Sequence, residues 1–297
     1  KLNHMIKHSL ITTLVLLATL SCAKHERPVP YVESQETPII ANDISNQKVT
    51  SFMEDSQGHI WISTFRGLNR FNVHEYHQHF CTSDEMTLPD NQVQCLYNDS
   101  KNRLWVSTVN GMALHTEQDN FIRIPMPTRS RNTVQIVEDE LGRIFINTMV
   151  DISVYNEETK QFENVLNSVE GSMPAATQIF FSQTDNDLWV ASPTHFNRYD
   201  SNDFKLKESI ALNNVYSYFS ILEDGTVWMS SENGISLYNI SKTCFLEIPA
   251  ALRNHRTFSK AKVTYVYPYK DDSLLLYTEK HGMFIYNRNE NSLKHQS

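Results

Sequence analysis

The sequence predicts an all-β protein, a β-propeller of about six four-stranded blades, and three observations carry that reading. All four Trp residues sit in one local context, as in Ile60-Trp61-Ile62-Ser63-Thr64 and Leu104-Trp105-Val106-Ser107-Thr108. Seven of the eight Gly residues fall in two frames set by those Trp positions, and Gly171 alone lies outside them. The segments in between are short, alternating and rich in Val, Ile, Thr, Tyr and Phe, which is strand composition.

The chain opens on an address. Met5-Ile6-Lys7-His8 is a short basic stretch, and an apolar run from Leu10 to Leu20 ends at Ser21-Cys22. That run is shorter than the ~20 residues a membrane helix needs and has the proportions of a secretory signal. Residues 1–22 therefore read as a signal peptide, with Cys22 as the candidate lipidation residue of a lipoprotein-type cleavage site. This predicts an exported chain, periplasmic or membrane-anchored facing the periplasm. Residues 23–47 form an N-terminal segment, in which Glu36 to Gln47 is a candidate outer strand closing the last blade.

Repeats fill residues 48–297. Their anchors are Trp61, Trp105, Phe145, Trp189, Trp228 and Leu275, spaced 39 to 47 residues apart. Three residues before each anchor stand Gly58, Asn102, Gly142, Asn186, Gly225 and Asp272, types that tolerate the left-handed backbone of a tight hairpin. Three residues after it stand Thr or Ser, and then Gly67, Gly111, Asp151, His195, Gly234 and Gly282 at a second turn. Four strands in ~40–45 residues make one propeller blade, which buries its two apolar faces by stacking on neighbours. The anchor aromatics are thus predicted to pack between blades. Six units leave two closures open, a six-bladed ring or an incomplete seven-bladed one.

Composition narrows the function. With 34 Asp and Glu against 26 Lys and Arg the formal charge is −8, which argues against nucleic acid as a partner of this segment. Beyond Cys22 the Cys residues are Cys81, Cys95 and Cys244, an odd number that reads as isolated buried or half-buried thiols. No hydrolase, zinc-protease or phosphate-loop motif occurs, so the segment reads as non-catalytic and as needing no cofactor. His74, His77 and His79 form a suggestive cluster, with His77 and His79 on one strand face, but their place in a variable outer segment predicts exposed polar side chains and no metal. Binding is the better expectation, at the varied tips after the Thr/Ser frame, where Phe65, Arg66 and Asn110 suit a sugar.

The unit from Val49 to Asn72, with its Asp-Ser-Gln-Gly turn, Ile-Trp-Ile-Ser-Thr strand and Gly67-Leu68 before an aromatic and Asn, resembles the two-component regulator propeller repeat. The resemblance covers about residues 48–290; units one, two and five follow it most fully, while Phe145, Asp151 and His195 depart from it. It implies the periplasmic sensor region of hybrid two-component histidine kinases of Bacteroidetes-type bacteria. Such a region resembles paired propellers, often of fourteen blades, ahead of a membrane helix, kinase, receiver and DNA-binding domain, and several members respond to oligosaccharides. No kinase or helix-turn-helix segment reads in residues 1–297. The expectation is an exported ligand sensor or its fragment. Its partners would be an oligosaccharide, a second propeller or a second copy, and a membrane reached by lipid or by a downstream helix. The alternatives are a self-standing lipoprotein scaffold and a carbohydrate-active propeller enzyme.

Overall fold

Each repeat folds into four consecutive antiparallel strands, and six such sheets make up a six-bladed propeller in a computed structural model of the chain. The structure describes residues 37–296 apart from 127–129, 169–170, 172, 174–175, 183–185 and 271. Cys22 and the signal peptide lie outside the described residues.

The first blade runs Val49–Glu54, Ile60–Thr64, Gly67–Phe71 and Tyr76–His79 from inner to outer strand. The second runs Val93–Asn98, Leu104–Thr108, Gly111–His115 and Phe121–Ile124. The next four begin at the inner strands Gln135–Glu138, Gln178–Phe181, Tyr218–Ile221 and Val263–Tyr269. The last blade holds four strands of its own, ending at Ser292–Gln296. The expected ring-closing strand is therefore corrected: Ile39–Ala41 pairs with Tyr76–Gln78 and becomes a fifth, outermost strand of the first blade. The physical reason is reach, because Gln78 donates from Nε2 to the Asp43 carbonyl and holds the segment beside its own unit.

Strand alternation sorts each blade into two faces. Trp61 stands opposite Met53 and Arg70 on the face toward the second blade, while Ile62 stands opposite Phe52 and Asn69 on the other. Trp61, Trp105, Phe145, Trp189 and Trp228 are all buried. Five apolar clusters follow, one for each pair of consecutive blades; Trp61 and Leu68 of the first blade, for example, pack on Leu104, Val106 and Ala113 of the second.

The turns before the first three anchors are each held by a carboxylate six residues ahead of the anchor. Asp99 Oδ1 accepts the amides of Lys101 and Arg103, and its Oδ2 accepts the Trp105 indole N–H at 2.8 Å and Arg103 Nε at 2.6 Å. Asp55 repeats this with Gln57, His59 and Trp61, and burial, which opposes its ionisation, is outweighed by those hydrogen bonds, so its carboxyl stays below the usual range. The chain turns back with positive φ at Gly58, Asn102, Gly142, Asn186, Gly225 and Asp272, the six positions named from the sequence.

The second turn has a steric demand. Gly67 has φ +104°, and a Cβ there would stand 2.8 Å from Phe80 and 2.9 Å from the His79 carbonyl. In the third unit Asp151 is accommodated because the positive φ moves to Met149, and Thr148 Oγ1 accepts the Asp151 amide. Cys81 and Cys95 are half-buried free thiols, but Cys244 is exposed, which corrects the expectation for that residue.

Two stability outcomes follow from these turns. Asp99→Ala leaves the indole N–H and two amides without their acceptor and is expected to cost about 3 kcal/mol, whereas exposed Asp224→Ala costs about 0.5 kcal/mol or less, both read from urea unfolding. Gly67→Ala is expected to cost about 1–3 kcal/mol in the same assay, with His195→Ala, in the matching frame but at ordinary φ, close to neutral.

Candidate functional site

Where the first two blades meet, the anchor turns and the outer hairpin of the second blade enclose a polar cleft of about 530 Å3. The Asp55–His59 turn forms one side, Asn98, Lys101 and Asn102 the other, and Arg70, His115, Thr116 and Glu117 the outer wall. The groups of the two sides come from turns whose backbones are fixed by Asp55 and Asp99, so they are held in place before any ligand arrives.

Asp119 organises the outer wall. It takes both Arg70 nitrogens in a fork at 3.1 and 3.0 Å and pairs with His115 Nε2 at 2.8 Å. Burial opposes its ionisation, but the His115 hydrogen bond and the neighbouring positive groups hold its carboxyl below the usual range. Behind it Trp61, His79, His115 and Phe121 pack ring on ring, with centroids 4.8 to 6.4 Å apart. Arg70 lies over the Trp61 ring at 5.5 Å, so it is held by charge on one side and by a π-face on the other.

The histidine expectation is corrected here. His79 is 1% exposed, not a solvated side chain, because its strand alternates it onto the face that meets the second blade. Its Nε2 has no hydrogen-bond partner among the described residues and lies 3.7 Å from Asp119. Burial pushes its pKa down to about 3 against the pull of Asp119, and the nearby charges of His115, Arg70 and His77 add to the depression. His77 pairs instead with Glu75 at 3.1 Å. Among the described residues no group of three or more His, Cys, Asp or Glu is arranged to hold a metal ion.

The tip residues lie at the far end of the strands from this cleft. Phe65 is partly exposed with Lys48 Nζ 3.6 Å from its ring centroid, Arg66 is exposed, and Asn110 lines a separate cavity of about 310 Å3 with Arg123 and Arg131. Arg70 lies within the first repeat, Val49 to Asn72, whereas Asp119 falls in a segment with no repeat frame. The available signal was His115, which breaks the aromatic frame of Phe71, Tyr155 and Tyr199.

Comparison with known proteins sets this geometry in context. Residues 43–66 and 87–110 match the family described as the two component regulator propeller, and these units build the two blades that flank the cleft. No curated protein matches the sequence. Among solved structures, the extracellular domain of a B. thetaiotaomicron protein described as a hybrid two component system is 18% identical with a TM-score of 0.70, covering 87% of this chain and 36% of that one. An extracellular domain of a protein described as a one component system from the same organism is 20% identical at TM-score 0.68, covering 84% and 36%. Virginiamycin B lyase from Staphylococcus aureus is 15% identical at TM-score 0.64, covering 86% of each chain. The chain thus spans little more than a third of the two extracellular domains, and the likenesses establish a shared fold.

A stability profile tests the buried histidine. With a folded-state pKa near 3 against an ordinary 6.5, the unfolded chain binds more protons between those values, so His79 removes stability as pH falls through that window, by up to about 1.4 kcal/mol per pH unit. Asp119, whose folded pKa is depressed, adds a further loss at lower pH as its carboxylate protonates. Urea midpoints taken from pH 7 to pH 4 are expected to fall, and His79→Phe is expected to flatten the upper part of that slope.

Proposed function

We propose that the protein is the ligand-sensing propeller of an exported two-component-type regulator, with the polar cleft between its first two blades as the ligand site. One observation carries the reading: the two units that match the two-component regulator propeller family are the two that build the cleft. Among the described residues no helix is long and apolar enough to cross a membrane. Passing a signal inward would then fall to residues outside those described or to a partner, through a change in how the propeller packs on its neighbour.

The cleft favours a hydroxyl-rich ligand such as an oligosaccharide. His59, Lys101, Asn98 and Asn102 offer donors, and Glu117 offers acceptors, within one concave surface. Trp61 is buried, so recognition there would rest on hydrogen bonds rather than on an aromatic face. Lys101 is partly committed to Glu157 at 2.7 Å, and a ligand has to compete with that pair.

Catalysis is the second reading, and the His115–Asp119 pair beside the cleft is what favours it. Asp119 is already engaged by the Arg70 fork, an arrangement that suits positioning more than proton transfer.

Titration calorimetry with a panel of oligosaccharides tests the proposal. A binding isotherm is expected, with Gln57→Ala and Glu117→Ala each weakening affinity about tenfold while leaving the fold intact. Loss of binding in Phe65→Ala or Asn110→Ala instead would move the site to the opposite rim. Release of shorter sugars during the titration would overturn the non-catalytic reading.

A further inference from the structure

Away from the seams between blades, the rim opposite the polar cleft holds a separate cavity of about 310 Å3. Its walls come from the tip of the second blade, the end of that blade's outer strand, and the linkers that enter and leave the blade. Arg123 and Arg131 line it, with Asn110 beside them and Pro89, Met112 and Ile124 as apolar walls. Among the described residues that line it, none is acidic. Composition alone favours the opposite, with 34 Asp and Glu against 26 Lys and Arg in the chain.

The other arginines show what is missing. Arg70, Arg103, Arg143, Arg198, Arg253 and Arg288 each form an ion pair with a carboxylate. Four described arginines form none, Arg66, Arg123, Arg131 and Arg256, and two of those four line this one cavity. Arg123 is nevertheless fixed in place. Its Nε donates to the Thr87 carbonyl at 3.3 Å, and its Nη2 donates to the carbonyls of Asp84 and Leu88 at 3.3 and 3.2 Å. These acceptors are uncharged, so they orient the guanidinium without neutralising it. Its Nη1 has no acceptor among the described residues. Arg131, exposed on the linker to the third blade, and the side-chain amide of Asn110 make no hydrogen bond to the described residues either. Two like charges on one concave, partly apolar surface repel each other unless an anion joins them.

We infer that this cavity binds the carboxylate of a small organic acid, at a site separate from the polar cleft. Arg131 and Nη1 of Arg123 donate to the carboxylate oxygens in charge-assisted hydrogen bonds. Pro89, Met112 and Ile124 cover the body of the acid, and Asn110 donates to or accepts from a polar group on it. A volume of about 310 Å3 is at the lower end for small-molecule sites, which fits one ring or a short chain. A bare inorganic anion would use the arginines and leave the apolar walls uncovered. The carboxylate can belong to a free acid or to an acidic sugar, since the arginines read the same group in both. The site does not require the cleft to be occupied.

Titration calorimetry of the full chain at low salt tests this, with glucuronate, benzoate, glucose and inorganic sulfate as probes. At least one of the two carboxylates is expected to bind one to one with a Kd of about 1 mM or tighter. Tighter binding of glucuronate assigns the group to an acidic sugar, and tighter binding of benzoate assigns it to a free apolar acid. Arg131→Ala is expected to weaken that binding about tenfold or more, and Arg131 bonds nothing in the folded chain, so the variant keeps its fold. Arg256→Ala removes the same charge from another unpaired arginine outside the cavity and is expected to change the affinity by less than about twofold. Four results would each overturn the inference: no binding of either carboxylate, equal weakening by Arg131→Ala and Arg256→Ala, glucose binding that Arg131→Ala also weakens, or sulfate binding as tight as that of the better carboxylate. The last would show a site for an adventitious ion only.

Discussion

The first two blades depend on a carboxylate placed six residues ahead of an indole. Asp55 and Asp99 each gather two turn amides on one oxygen and the anchor Trp N–H on the other, so one side chain closes the hairpin and aims the residue that fills the seam. The geometry couples local and long-range order: loosening the turn strips the indole N–H of its acceptor. Asp139 keeps the turn amides in the third unit, where Phe145 needs no acceptor and Arg143 takes the second oxygen.

Where that carboxylate is missing, the anchor pays. Gln183 and Leu222 stand six residues before Trp189 and Trp228, and both indole nitrogens lack a partner among the described residues. The rings still bury, because aromatic and apolar contacts suffice; Trp189 stacks on Phe196 at 4.5 Å. Apolar packing therefore sets where the ring goes, and the carboxylate sets how firmly it is held. The first two units combine both, and they are the ones whose turns form the polar cleft.

Much of this was legible in the sequence because a repeat reports itself six times. The anchor frame, the left-handed turn positions and the four-strand units are statements about backbone and burial, and each copy corroborates the others. What repeats least was least legible. Asp119 sits in an outer hairpin with no counterpart frame, and its partners come from two different blades, 49 residues from Arg70 and four from His115. His79 was misread for the same reason: outer strands vary, and only their pairing shows that the strand turns a histidine inward. The pairing of Ile39–Ala41 was equally hidden, since three residues carry no periodicity.

The outermost strand of the first blade bears on how the chain folds. Every other ladder joins strands consecutive in sequence, so each sheet assembles from local hairpins with little loop entropy to overcome. Ile39–Ala41 is the exception, because Ile39 waits for Gln78 and cannot pair until the whole first unit has formed. An all-β chain arranged this way keeps its strand pairings local in sequence, and the one exception spans only three residue pairs. The N-terminal strap is thus a late addition to a blade already made, completing the sheet's edge without directing its assembly.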